Sequence, residues 1–329
     1  MAEAFTYAGG EIIEVTAAAA YSDGDMYQVP DGRAGIVRGD VASGAVMSVE
    51  VVDGLILKMT KTSGFVALAG GRAYWDHSAN AVNYKKVNDR DYYLGRFTAD
   101  ATSTATTCYV ALNIDPKYDV DLLRGEGGNL SVPTGTQATG SAGFGLPRVY
   151  GGSQAIRVTA TSEAQCIDML SVDRFAVGSN WIAEFVLRLA ANGSGSACDL
   201  TWGVANGTST TDADAITESC FFHIDGGALT ILAESDDGTV EVGATTTTVS
   251  ITEGTAVANR FEFWLDGRDT TNVKYYINGA EVNAATSNLG DIRLATGPLG
   301  LLVHIEKTTG TETIGPLFVD RACARLMEQ

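Results

Sequence analysis

The chain is poor in the residue types that carry out chemistry. It has three histidines, His77, His223 and His304, and none stands at ligand spacing from a second histidine or a cysteine. No H-E-x-x-H occurs, which removes the commonest helical zinc signature. No G-x-S-x-G elbow and no G-x-x-x-x-G-K loop occur, so neither an activated serine nor a phosphate cradle is indicated. Each histidine is expected to be structural or exposed. Cysteine is scarce and odd in number (Cys108, Cys166, Cys198, Cys220, Cys323), with no C-x-x-C spacing. Such scattered thiols fit small reduced core residues of a protein made in a cytoplasm.

Positive charge is also short. Against 40 Asp and Glu there are 22 Lys and Arg, a net charge of −18. Nucleic acid needs a basic footprint and none exists, and the acidic surface disfavours anionic membranes. Long apolar runs are missing. The run of alanines at 17–20 is far below the ~20 residues of a membrane span. Residues 1–10 lack a basic region followed by an apolar run, so no secretory leader is expected.

What is present is the composition of an all-β protein: 38 glycines, abundant Thr, Ser, Val and Ala, and no long amphipathic helix. At 329 residues, two domains are the expectation. Residues 11–16, 26–29, 34–37, 45–52 and 55–59 read as short strands cut by turns at 22–25, 30–32, 39–40 and 53–54. Met47, Val49 and Val51 share one face, as do Leu55, Leu57 and Met59. About nine strands reach Asn113, which favours a small N-terminal barrel or sandwich over residues 1–115.

Residues 116–150 are rich in Gly, Ser and Thr and punctuated by Pro116, Pro133 and Pro147. They read as a flexible linker or as an arm that packs on a partner. From residue 151 to 329 the strands lengthen. In 181–189 (WIAEFVLRL), Trp181, Ala183, Phe185, Leu187 and Leu189 share a face. Ten to twelve strands here indicate a two-sheet sandwich of jelly-roll type. Charge divides unevenly: residues 1–115 hold 9 basic and 14 acidic side chains, about −5, and residues 150–329 hold 10 and 23, about −13.

The hairpin at 260–278 is the clearest unit. If Leu265 pairs with Val273, then Phe261, Phe263 and Leu265 share a face with Val273, Tyr275 and Ile277. By the same parity Trp264 lies off the core beside Tyr276. An outward Trp–Tyr pair would stack on a sugar or sit in a subunit interface, unless a second layer covers it. A sandwich enzyme on glycans needs two carboxylates a few ångströms apart. The run E-x-D-x-x-E is absent, and Glu262 and Asp266, on a strand and a turn, are not expected to converge. Asp212, Asp214, Asp236 and Asp237 lie in loops and offer oxygens to Ca²⁺, but the ordered D-x-[DN]-x-[DN]-G loop is missing. No catalytic set, cofactor or metal site is therefore expected.

Residues 1–115 resemble the phage capsid cement (decoration) family. The pattern runs through Gly35-Ile36-Val37, Ala42-Ser43-Gly44, Val49-Glu50-Val51-Val52, residues 55–59, Tyr74-Trp75-Asp76, Tyr92-Tyr93-Leu94-Gly95-Arg96 and Cys108-Tyr109-Val110-Ala111-Leu112. Gly71-Arg72 stands where the family has Gly-Asp. The resemblance implies a non-enzymatic protein on the outer face of an icosahedral head, made in the host cytoplasm. It also implies a homotrimer that clamps the major capsid protein and stabilises the head, with Tyr74, Trp75, Asp76 and Gly95 as framework of the β domain. Residues 150–329 more weakly resemble lectin-like, concanavalin- or laminin-G-type sandwiches, through the hairpin at 261–282 (FEFWLDGRDTTNVKYYINGAEV). That implies an outward-projecting domain, with a cell-surface glycan as an additional partner. The alternative is a glycan- or receptor-binding virion fibre protein that uses Trp264 and Tyr276.

Overall fold

A computed structural model describes residues 10–123, 153–158, 164–192, 198–282, 289–308 and 314–327. The chain is all-β and forms two compact units, Met1–Lys117 and Tyr118–Gln329.

The first unit holds two sheets. Strands β1 (Gly10–Thr16), β2 (Met26–Gln28), β3 (Ala34–Arg38) and β4 (Val46–Val52) form one, in the order β1-β4-β3-β2. The alternation seen in sequence is realised in β4: Met47, Val49 and Val51 are buried and join Ala17, Val29 and Val37 in a core. Strands β5 (Ile56–Thr60), β6 (Arg72–Asp76), β7 (Ala81–Asn83), β8 (Tyr92–Phe97) and β9 (Thr107–Leu112) form the second, in the order β5-β9-β8-β6-β7. Its two edges meet. Lys61 bridges Val82, and Thr62 N donates to Val82 O at 3.0 Å, so the sheet closes on itself and no long open edge is left. Asn113 ties the sheets together. Its Oδ1 accepts from Ala34 N at 2.9 Å and its Nδ2 donates to Ala34 O at 3.0 Å, as a neighbouring strand would.

Tyr74, Trp75 and Asp76 sit on β6, each for a mechanical reason. Tyr74 packs edge-on against Tyr93, with ring centroids 5.6 Å apart. Trp75 is buried. Buried Asp76 closes the following turn: its Oδ1 accepts from Ser78 N, Ser78 Oγ and Ala79 N, and its Oδ2 from Asn83 Nδ2. Gly95 has φ +147°, and a Cβ there would meet Ala111 O at 1.9 Å, so β8 and β9 approach too closely for any side chain.

The second unit is a two-sheet sandwich. One sheet runs β10-β22-β13-β18-β19-β20, with β11 also on β22. These strands are β10 (Val120–Asp121), β11 (Gln154–Val158), β13 (Trp181–Leu189), β18 (Phe261–Gly267), β19 (Lys274–Ile277), β20 (Ala280–Glu281) and β22 (Ile314–Leu326). The other runs β12-β21-β14-β15-β16-β17. It consists of β12 (Gln165–Leu170), β14 (Cys198–Ala205), β15 (Glu218–Ile224), β16 (Thr230–Asp237), β17 (Glu241–Ser250) and β21 (Gly300–Lys307). The aliphatic and aromatic residues of both sheets meet in one core. Across it Trp202 touches Phe263 at 4.7 Å and Phe222 touches Tyr275 at 5.1 Å between ring centroids.

Two expectations are corrected here. The stretch 116–150 does not begin as a linker: Val120 and Asp121 pair with Ala324 and Cys323, and Leu326 N donates to Asp119 Oδ2. A chain that finds ladder partners on β22 has no reason to stay free. The remainder of that call, residues 124–150, lies outside the described residues. The hairpin register is also shifted by two: Leu265 pairs with Tyr275 and Phe263 with Ile277. Asp266 and Gly267, read as turn, continue β18. A slip of two keeps every side chain on its face, so the apolar set still reaches the core.

Gly95→Ala should lower the unfolding free energy of the first unit by about 2–4 kcal/mol, because backbone must move to admit the methyl group. Asn113→Ala should cost about 1–3 kcal/mol through two lost hydrogen bonds at buried Ala34. Denaturant unfolding of both variants beside the parent measures each loss.

Candidate functional site

The site follows from a repeated local pattern. Four strands each carry a polar–aliphatic–polar triplet: Cys166-Ile167-Asp168 on β12, His304-Ile305-Glu306 on β21, Asp199-Leu200-Thr201 on β14, and His223-Ile224-Asp225 at the end of β15. The middle residue of each is in the core. With a period of two, both flanking residues must point to the opposite face of the sheet. The register lines them up. Asp168, His304, Thr201 and His223 form one row across adjacent strands, and Cys166, Glu306 and Asp199 form a second. Glu234 on β16 and the loop residues Asp212 and Asp214 complete the rim. Of these, Asp199, Thr201, Asp212, Asp214, His223, Asp225, His304 and Glu306 line a recess of about 250 Å³.

Two clusters of different character share this face. In the first, His304 is fully buried between two carboxylates. Its Nδ1 lies 2.8 Å from Asp168 Oδ1 and its Nε2 lies 3.2 Å from Glu306 Oε2. Burial opposes charge on the ring, but hydrogen bonds with Asp168, Cys166 and Glu306 outweigh it and hold the imidazole pKa well above its ordinary value. His304 thus has a carboxylate at each ring nitrogen, an arrangement that favours the protonated ring. Burial pushes the neighbouring Cys166 thiol up, so it is not a poised nucleophile.

In the second, three carboxylates surround one imidazole nitrogen. His223 Nδ1 lies 3.5 Å from Asp225 Oδ1, 3.8 Å from Asp214 Oδ1 and 3.8 Å from Glu234 Oε1. Burial, with the carboxylates of Asp214, Asp225 and Glu241 beside it, pushes Glu234 up to about 9. Asp199 is pushed up to about 6, mainly by burial. Gly226 N–H opposes the shift and Glu306 and Asp225 add to it.

The structure corrects the expectations for this region. His223 and His304, read as structural or exposed and without a ligand-spaced neighbour along the chain, are buried and stand one strand either side of Thr201 amid acidic groups. His77 is exposed, in the first unit. The four loop aspartates do not gather. Asp212 caps the short turn of helix at 213–215, Asp236 and Asp237 cap the 238–240 turn, and only Asp214 faces His223.

Trp264 and Tyr276 are also corrected. They are cross-strand partners with ring centroids 6.0 Å apart, and Trp264 does leave the core face. Both are buried, at 6% and 4% exposure, the covered alternative for this pair. Their face of the seven-stranded sheet is a buried ionic layer instead of an aromatic platform. Glu184, the partner of Trp264 across β13, bonds Arg325 and Tyr118 Oη and lies 3.5 Å from Arg321. Glu262 and Asp266 share that face without meeting: Glu262 lies 3.6 Å from Arg321, and Asp266 takes both arms of Arg268.

Residues 7–112 match the phage cement protein family. No curated protein is significantly similar to the chain. Among solved structures, the carbohydrate recognition domain of Emp46p in its potassium-bound form is 10% identical with a TM-score of 0.36. That likeness covers 51% of this chain and 82% of the other. CBM66 from Bacillus subtilis is 10% identical over 51% and 85% of the two chains, TM-score 0.29. The laminarinase catalytic domain from Thermotoga petrophila is 12% identical over 55% and 80%, TM-score 0.36. Likenesses this distant say nothing of ligand or activity.

The His304 clamp gives a pH signature. A raised imidazole pKa means the folded state holds its proton more tightly than the unfolded chain. The stabilisation is therefore fully present below the unfolded value of about 6.5 and is lost as pH rises through the raised value. His304→Gln should lower the unfolding free energy by about 3–5 kcal/mol at pH 6, where two buried carboxylates lose their cation. The gap to the parent should narrow in alkaline buffer. Denaturant unfolding across a pH series checks this, and a gap that stays constant with pH excludes the charged clamp.

Proposed function

We propose that this chain is a non-enzymatic phage capsid decoration protein. Its first unit attaches to the major capsid protein on the outer face of the head and stabilises it, and its sandwich projects outward. The observation that carries the reading is the family match over residues 7–112, which coincides with the compact unit Met1–Lys117. The physics of that unit agrees with attachment. Ile12, Val46, Ile56 and Tyr109 stand 45–67% exposed on its strands, an apolar supply for a docking surface. Its buried polar groups are spent on turns: Asp76 on the 77–79 turn, and Asp91 on the N–H groups of His77, Val87 and Asn88. A clamp repeated over many copies needs complementary surface and no catalysis. The homotrimer implied by the family resemblance belongs to the same proposal.

Among the described residues, the recess on the sandwich is lined by carboxylates and imidazoles, with no Trp, Tyr or Phe side chain in its wall. It therefore does not favour the stacking by which neutral sugars are usually held. A decoration role remains the reading with the stronger support.

Full-length protein mixed with purified expanded capsids should co-sediment at a saturating stoichiometry and raise the capsid disruption temperature. Ile12→Asp combined with Ile56→Asp should weaken binding at least tenfold while leaving the protein's own melting temperature nearly unchanged. Absence of binding, together with no shift in capsid stability, would refute the decoration role.

A further inference from the structure

We infer that Asp214, His223 and Glu234, with Asp225 beside them, form a binding site for one divalent transition-metal cation of the zinc class.

The argument begins with charge. Three carboxylates from three separate segments converge on one imidazole nitrogen: Asp214 from the loop before β15, Asp225 from its end, and Glu234 from β16. Among the described residues no lysine or arginine pairs with any of the three. Of the three, Glu234 is buried, while Asp214 and Asp225 stand at the solvent-facing side of the cluster; a buried carboxylate is normally paired with a cation or coordinates a metal, because an uncompensated charge away from water is expensive. Here the compensation within the protein is incomplete.

Geometry points the same way. The three contacts to His223 Nδ1, at 3.5–3.8 Å, are long for N–H···O hydrogen bonds. They match the edges of a coordination shell. Four ligands in a tetrahedron about 2.1 Å from a zinc ion lie roughly 3.4 Å from one another. One donor atom each of Asp214, His223 and Glu234 falls within 4.8 Å of the others, so a small inward movement closes the shell.

Unpartnered atoms supply the independent observation. Glu234 is 8% exposed, and its Oε1, the atom facing His223 Nδ1, accepts no hydrogen bond among the described residues. His223 is 2% exposed, and its Nε2 likewise has no partner there. Buried polar atoms in folded proteins are almost always satisfied, so an exception of this kind marks a missing ion or water. The contrast with the adjacent cluster is instructive. His304 has a carboxylate at each ring nitrogen and is already complete. His223 has several carboxylates at one nitrogen and nothing at the other.

The donor set selects the ion. Calcium and magnesium take oxygen ligands, whereas an imidazole nitrogen with carboxylate oxygens suits zinc and its neighbours. Asp214 and Asp225 are the exposed members, Asp214 on a loop, while His223 and Glu234 lie on adjacent strands. The ion would thus fasten the 206–217 loop to the sheet.

Full-length protein, stripped with EDTA and freed of chelator, is titrated with Zn²⁺, Mn²⁺ and Ca²⁺ by calorimetry, and its melting temperature is followed in parallel. Zn²⁺ should bind at one ion per chain. It should raise the melting temperature by about 5–10 °C at a free concentration 100 times Kd. His223→Gln should weaken Zn²⁺ binding by more than the roughly 10–100-fold that outer-shell changes cost. Asp214→Asn, at a half-exposed loop position that the fold tolerates, should weaken it at least tenfold with the metal-free melting temperature unchanged. His77→Ala, in the other unit, should bind as the parent does. The site is overturned if the parent binds no Zn²⁺, or if Asp214→Asn retains parental affinity. It is equally overturned if Ca²⁺ stabilises the protein and Zn²⁺ does not.

Discussion

The contact between the two sheets of the second unit governs the rest of that unit. Trp202 and Phe222 from one sheet meet Phe263 and Tyr275 from the other, and aliphatic residues of both sheets surround them. Burying that surface is the main favourable term available to a fold without helices. Once it is made, the period of two assigns every alternate residue to the far side of its sheet. The polar residues on both outer faces are thus consequences of the core.

Those outer faces are not simply solvated, and they handle buried charge in two ways. On the seven-stranded sheet Glu184 is matched by Arg321, Arg325 and Tyr118, and although burial favours its neutral form the arginines hold its carboxyl below the usual range. Guanidinium groups are always charged and carry several donors, so such a layer is self-sufficient. On the six-stranded sheet the carboxylates meet imidazoles instead of guanidinium groups. One imidazole has a carboxylate at each ring nitrogen, and the other faces three at one nitrogen with none at its second among the described residues. That imbalance separates a structural ion cluster from a ligand site.

The first unit solves a different problem. It has only short strands, and its second sheet avoids a long open edge by joining Lys61 and Val82. Gly95 and Asn113 permit the close approaches that this compactness requires, one by lacking a side chain and the other by using its amide as a substitute strand. A small rigid body with exposed apolar residues and its polar groups committed to turns is suited to adhesion. The buried histidine–carboxylate clusters described above lie in the second unit.

The all-β class, the alternation in β4 and β13, and the face assignment of the 260–278 hairpin were legible in the amino-acid sequence, because strand periodicity is local. The hairpin register was misread by two residues, since Asp266-Gly267 carries turn chemistry that the ladder overrides. The recess was not read at all. Its triplets were visible as polar–aliphatic–polar steps, but Asp168 and His304 are 136 residues apart, and no spacing rule connects them. Sequence by itself determined which faces are apolar and which segments are strands, since these depend on neighbours along the chain. Only the tertiary structure decided that Trp264 is covered and that His223 meets three carboxylates. Strand order is set by the long-range pairing of β12, β21, β14 and β15, and it places side chains together without any local signal.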